Sequence, residues 1–391
     1  MRFLVPILVV VVVSATMTKR AATNRDNFPE RLFPTDRPIT YSFSPDFATD
    51  DRLVMDVVLR DIASMTCLSF EDLSFNISDG SFEKPLLMFE NSTKCGFENV
   101  EKLSDSSPLR IYFAESTCRT LLAYYRAMLY ALGMFETQLR PDRDEYISVH
   151  EEDIQTNKLN LFKKYSDFFA TTYGVPYDFE SILHAIPGTH QRTKGIPTLV
   201  AKDPLYQPGM GMNRITPSHS DFLLLNRLYR CLDKCATSEV KCQNGGFLNP
   251  NNCTKCICPR AFRGDSCNEM NYACGGYRQS TTKWRRLSVD WSSTIEPTVC
   301  HWFLTAPPGR KIEIELENIV PEDTLCPYRP YTWLEVKLGN FAVGGYKFFC
   351  NAHIPNHTLI SEGNLTVLTL AKDFFEYIEF ELLYRNVEAN S

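Results

Sequence analysis

The side chains with metal-binding or nucleophilic chemistry are unevenly spread along this chain. Its seven histidines are His150, His184, His190, His219, His301, His353 and His357. A hydrolytic zinc centre commonly takes two imidazoles from one helix face, four residues apart, with a carboxylate beside them to deprotonate the metal-bound water. Only His353 and His357 have that spacing, and Pro355 between them opposes a helix, so the pair reads as solvated loop histidines.

Fourteen cysteines, even in number, point instead to a disulfide framework of an exported chain. Met1-Arg2, the apolar run Phe3 to Val13 and then Ser14-Ala15 read as a signal peptide over 1–15, and the run is too short for a bilayer core of about 30 Å. Residues 16–30 form a short pro or N-terminal segment, with Lys19-Arg20 as a processing site. The expected product is secreted and extracellular, without a membrane span. Sequons begin at Asn76, Asn91, Asn252, Asn356 and Asn364. A net charge of -6 without a basic stripe argues against nucleic acid as a partner.

The elements that must position any site follow from apolar spacing. Leu121, Leu122, Tyr125, Met128, Leu129 and Leu132 recur at helical intervals, so a helix is expected over about 119–132, stopped by Gly133. Ile39-Thr-Tyr-Ser-Phe and Leu109-Arg-Ile-Tyr-Phe read as strands, giving an α+β unit with the helix packed beneath a sheet. Cysteine density then divides the 391 residues: three before residue 230, seven from Cys231 to Cys267, and four from Cys274 to Cys350. Such a length exceeds one core, and the small middle part must rely on its staples.

Cys242-Gln-Asn-Gly-Gly, Cys256-Ile-Cys258 and Cys267 give the middle part, 234–268, a spacing that resembles EGF-like domains. The resemblance implies bridges Cys235 to Cys253, Cys242 to Cys256 and Cys258 to Cys267. The last part, 274–388, opens Cys274-Gly-Gly and carries Cys300-His-Trp-Phe-Leu-Thr-Ala-Pro-Pro-Gly, Ile312-Glu-Ile-Glu-Leu and an apolar strand near Tyr377 to Leu383. It resembles a CUB domain, an all-β sandwich, which implies bridges Cys274 to Cys300 and Cys326 to Cys350. The calcium site of such domains needs an acidic ligand where this chain has Thr332, which opposes calcium-dependent binding. Tyr328, Tyr331 and Trp333 nearby offer aromatic surface or strand packing.

The first part, 31–233, resembles the astacin family of metzincin zinc proteases. The matching stretches are Ala131-Leu-Gly-Met-Phe-Glu-Thr-Gln-Leu-Arg-Pro-Asp-Arg-Asp144, then Tyr177-Asp-Phe-Glu-Ser-Ile-Leu-His184 as the approach to the Met-turn. Pro197 to Pro204 matches the strand beyond it and Leu225 to Cys231 the closing helix. The order of parts is similar to that of larger secreted nematode members. The implied bridges are Cys67 to Cys231 and Cys95 to Cys118, constraining the unfolded chain by about 5 and about 3 kcal/mol in the chain-entropy account.

That family requires H-E-x-x-H-x-x-G-x-x-H. Here the ligand positions are Arg126, Tyr130 and Glu136 and the base position is Ala127, while Leu183 stands at the Met-turn methionine, Ala185 at the following tyrosine and Thr137 at the buried glutamate. A divalent ion about 4 Å from the Arg126 guanidinium would be repelled by about 8 kcal/mol at an effective dielectric of about 20. The expectations are a multidomain fold with an astacin-like domain, an EGF-like module and a CUB sandwich, and no zinc or other cofactor. No enzymatic activity is expected, and the function is binding an extracellular protein or peptide. The alternatives are a zinc metalloendopeptidase with unorthodox ligands, or a matrix or adhesion protein working through its last two modules. Arg126, Tyr130 and Glu136, whose positions converge in the family fold, are expected either to hold one another in a cleft with Leu183 and Ala185 or to leave Arg126 and Glu136 pointing to solvent in an emptied cleft, and Arg140 to Asp144 to form a charged structural turn.

Overall fold

The computed structural model describes residues 22–74, 86–97, 108–114, 118–213, 215–271, 274–290, 298–320, 326, 332–373 and 378–389. The signal segment, Lys19-Arg20, Asn76, Tyr328 and Tyr331 lie outside these residues.

The first part is built on a five-stranded sheet in the order Phe70–Asp72, Ile39–Phe43, Leu87–Ser92, Leu109–Ala114, Gly96–Phe97, parallel except for the last pair. Two helices serve it, α1 (Thr49–Met65) and α2 (Leu121–Ala131), the second starting two residues inside its expected position because the Thr120 hydroxyl caps the Ala123 amide. Aromatic side chains connect the layers: Tyr41, Phe43 and Phe89 contact one another on the sheet, and Phe113 meets Tyr124 of α2 at 4.8 Å between ring centres. The Tyr124 hydroxyl donates to Asp51 at 2.6 Å and the Tyr125 hydroxyl to Asp61 at 2.8 Å, so α2 is tied to α1 by bonds that satisfy buried phenols.

Beyond α2 the chain is mostly turns around the antiparallel pair Ile147–Val149 and Leu199–Ala201, with a second core of Ile147, Ile154, Phe162, Tyr177, Phe179, Leu199, Ala201 and Met210. Helix α3 (His219–Leu228) lies earlier than the expected Leu225 to Cys231, because Ser218 and Asp221 form a reciprocal capping box. The middle part contains two short antiparallel pairs, Phe247–Asn249 with Asn252–Ile257 and Phe262–Arg263 with Glu269–Met270. The last part is a sandwich of a five-stranded and a four-stranded sheet around Trp302, Leu304, Ile312, Ile314, Leu334, Leu368, Phe380 and Leu382.

Seven disulfides join Cys67 to Cys231, Cys95 to Cys118, Cys235 to Cys253, Cys242 to Cys256, Cys258 to Cys267, Cys274 to Cys300 and Cys326 to Cys350. The parts are also locked by buried polar contacts that sequence spacing did not suggest. Lys347 of the sandwich reaches Glu180 of the first part at 2.8 Å, with the ammonium 4.3 Å from the Trp333 ring centre. Asp178 accepts from the Gly344 amide at 3.0 Å. Burial pushes the Glu180 carboxyl up, but Lys347, Arg260 and Lys337 outweigh it and hold the pKa at about 2. That depression is a stabilising contribution present above the ordinary carboxyl range and lost as pH falls toward about 2.

Removing one member of a buried pair strands the other charge. Lys347→Met is therefore expected to lower unfolding free energy by about 3 kcal/mol at neutral pH, read by urea denaturation.

Candidate functional site

The site begins with the turn that ends α2. Gly133 has φ +86°, and a Cβ there would stand 3.0 Å from both Leu32 and Thr23, so only glycine suits this turn and this close approach. The N-terminal residues take advantage of it: the Thr23 amide donates to the Gly133 carbonyl at 2.8 Å, and Ala22 bridges to Met134. Past the turn, Glu136 folds back toward α2 and accepts from the Tyr130 hydroxyl at 3.2 Å.

Arg126 does not join that contact. Its Nε donates to the Ile182 carbonyl at 2.7 Å and a terminal nitrogen to the His184 carbonyl at 3.1 Å. The expected three-way arrangement is thus corrected: Tyr130 and Glu136 hold each other, while the guanidinium clamps main chain. The reason is competition, since two converging carbonyls satisfy a guanidinium without the desolvation that a partly buried carboxylate would add. The clamped segment is braced from behind, because Asp221 accepts from Ser181 Oγ at 2.6 Å and the Ile182 amide at 2.9 Å, and Thr137 donates to Ser181 at 3.0 Å.

Leu183 is buried and its carbonyl accepts from the Thr137 amide, while the Ala185 amide donates to the Gln138 side chain at 3.0 Å. Ala127 packs against the first core. His184 is fully buried, with Tyr177 Oη at 2.8 Å from Nε2 and the Ala185 carbonyl at 2.7 Å from Nδ1, and burial lowers its pKa to about 4. Arg140 makes a paired contact with Asp142, at 2.8 and 2.5 Å, beneath Tyr177, and Arg143 donates to the Gln138 and Phe162 carbonyls. This charged segment builds a turn.

Of the five expected cleft residues, Tyr130 and Glu136 line a cavity of about 440 Å³ together with Arg31, Leu109, Met134, Phe135, Leu139, Tyr165 and Phe169, and Arg126 and Ala185 do not line it. Leu183 lines a much smaller space beside Phe135 and Thr137. Phe135 stacks on Tyr165 at 4.4 Å, and Phe28, Phe168 and Phe169 form an aromatic group at the rim, with Phe168 59% and Phe169 44% exposed. These aromatics were not anticipated, although two adjacent exposed phenylalanines were readable at 168 and 169. Burial raises the Glu136 carboxyl above its ordinary range, against the opposing pull of the Tyr130 hydrogen bond and Arg126. Burial and the neighbouring Glu136 raise the Tyr130 phenol.

Residues 26–230 match the family model described as Astacin, a peptidase family. The chain belongs to the astacin family. It is 28% identical to zinc metalloproteinase nas-29 of Caenorhabditis elegans over 96% of this chain and 69% of that protein. It is 27% identical to zinc metalloproteinase nas-27 of the same organism over 90% of this chain and 84% of that protein, and 33% identical to zinc metalloproteinase nas-36 of Brugia malayi over 66% and 44%. Among solved structures it is similar to high choriolytic enzyme 1, a hatching enzyme zinc-protease from Oryzias latipes, with 20% identity, TM-score 0.42, covering 49% of this chain and 88% of that one. It is also similar to the CUB1-EGF-CUB2 domains of rat MASP-1, with 17% identity, TM-score 0.22, covering 28% and 42%.

The family's zinc does not fit the side chains at its usual stations here. A guanidinium offers no lone pair, which leaves only the Tyr130 and Glu136 oxygens as donors where the family uses three histidines. The broader expectation of a chain without metal or enzymatic activity is nevertheless corrected. The relatives are named zinc metalloproteinases, and His150, Glu152 and Asp153 present ligand atoms within 4.8 Å of one another, a group able to hold a metal ion. Looking for histidines at helical spacing passed over this set, which a short turn after Ile147–Val149 brings together. It does not line the cavity. Cys326, Cys350 and His353 also converge, but the two sulfurs are joined in a disulfide, not thiolates.

Two outcomes are expected of the site chemistry. Tyr130→Phe removes a hydrogen bond that lowers the Glu136 pKa, so carboxyl NMR titration should place that pKa higher in the variant. Gly133→Ala should lower stability by about 1–3 kcal/mol through backbone strain, measured as a shift of the urea midpoint.

Proposed function

We propose that this astacin-family protein is secreted and acts outside the cell by holding a peptide or protein segment in the cleft lined by Tyr130 and Glu136. Residues 234–268 would serve as an EGF-like module and 274–388 as a CUB-like module. The observation that carries this reading is the cavity of about 440 Å³ in which Tyr130 and Glu136 meet, rimmed by exposed Phe168 and Phe169. Aromatic side chains at a rim supply large contact area at small entropic cost. Seven disulfides suit an oxidising compartment, and among the described residues no helix is long and apolar enough to cross a membrane. Asn91, Asn252, Asn356 and Asn364 are exposed, which suits them as glycan acceptors.

Holding a peptide is common to a binding protein and to the proteinases among its relatives, and metal analysis separates the two. Arg126 is engaged by the carbonyls of Ile182 and His184, and the reading does not require a metal at α2. A metal held by His150, Glu152 and Asp153 would have its own affinity and pH dependence.

The test uses the full chain, because its parts share the buried Glu180–Lys347 contact. A mixed peptide library should be retained by the immobilised protein, and Phe169→Ser should weaken retention about tenfold. Retention unaffected by the substitution would place recognition elsewhere, on the middle and last parts. Elemental analysis of the same preparation by mass spectrometry reports zinc per chain.

A further inference from the structure

The cavity's chemistry is more specific than its shape. Most of its wall is apolar or aromatic: Leu109, Met134, Phe135, Leu139, Tyr165 and Phe169. Into this wall is set one carboxylate, Glu136, whose Oε1 is met by the Tyr130 hydroxyl at 3.2 Å. No donor among the described residues reaches its Oε2. Glu136 lines the cavity, so an incoming group meets its carboxylate there. Burial disfavours its charge, as the raised pKa reflects.

Two cations stand near enough to matter. Arg126 is engaged by the Ile182 and His184 carbonyls, and Arg31 lies with its guanidinium 4.7 Å from the ring centre of Phe28 at the rim. Neither forms an ion pair with Glu136. A desolvated carboxylate with one neutral partner, facing tyrosine and phenylalanine rings, is an arrangement that a cation completes. The incoming charge supplies the missing hydrogen bonds, and the ring faces attract it as well.

We infer that this pocket takes the basic side chain of a bound peptide, a lysine or arginine whose charged end meets Glu136 Oε2 while its aliphatic stem lies among Phe135, Tyr165 and Phe169. The inference rests on the reading that the cleft holds peptide, and names the residue class it selects. An acidic side chain meets like charge at Glu136. An aliphatic one of the same length leaves the carboxylate without its partner.

Lysine against norleucine isolates the charge, because the two side chains have nearly the same stem. The immobilised full chain is offered positional-scanning peptide mixtures in which one position is fixed as lysine, arginine, norleucine or glutamate, and retained peptide is quantified by mass spectrometry. Lysine or arginine should be retained about tenfold over norleucine at one position, with glutamate weakest, and Glu136→Gln should bring lysine to the level of norleucine. The substituted amide keeps an acceptor for Tyr130, and norleucine retention by that variant reports whether its pocket is intact. Peptides retained without preference for lysine or arginine overturn the inference and leave cleft binding standing. A lysine preference unchanged by Glu136→Gln places the selecting carboxylate elsewhere and also overturns it. Retention of no peptide at all contradicts both readings.

Discussion

The turn at Gly133 is the constraint on which the cleft depends. A helix that ran on would carry Glu136 away from Tyr130; the left-handed glycine instead sends the chain back across the end of α2. The same turn leaves a bare carbonyl and no Cβ where the N-terminal segment arrives, so Thr23 can dock on it. One residue thus sets the floor of the cavity and fixes the chain that forms one of its walls. Its environment explains why substitution is penalised twice, by backbone strain and by contact with Leu32 and Thr23.

Around that turn, the polar groups show which partners win in a half-buried site. Arg126 and Glu136 are opposite charges on neighbouring positions, yet each is satisfied differently, the guanidinium by main-chain carbonyls and the carboxylate by a phenol. The result leaves a carboxylate short of partners beside an aromatic wall. The brace behind it, from α3 through Asp221 and Ser181 to Ile182, keeps the Arg126 clamp in place. Asp221 is itself fully buried, and its pKa rises to about 6 through burial and the neighbouring Asp178, so this brace weakens its own contribution to stability as pH climbs from the ordinary aspartate range through about 6.

Helix α2 was readable because its apolar residues keep one face and Gly133 ends it. Helix α1 is longer and was not identified: Leu53 and Val57 are 60% and 51% exposed, so apolar side chains occupy both faces and blur the periodicity that Met55, Val58, Leu59 and Ile62 would otherwise display. The meeting of Tyr130 with Glu136 followed from the resemblance to the astacin family, in whose fold those positions converge. The partners of Arg126 did not, since backbone carbonyls some fifty residues away carry no signature in side-chain type. His150, Glu152 and Asp153 were adjacent in sequence and still passed over, because a turn rather than a helix assembles them. The contact of Lys347 with Glu180 depends on how two parts pack, which local pattern does not encode.

The most direct measurement of the central claim is hydrogen exchange of the full chain with and without a saturating lysine-containing peptide mixture. The account predicts slower exchange at residues 130–136 and 165–169, with the sandwich unchanged. Protection confined to the sandwich or the middle part, with 130–136 unaffected, would contradict it.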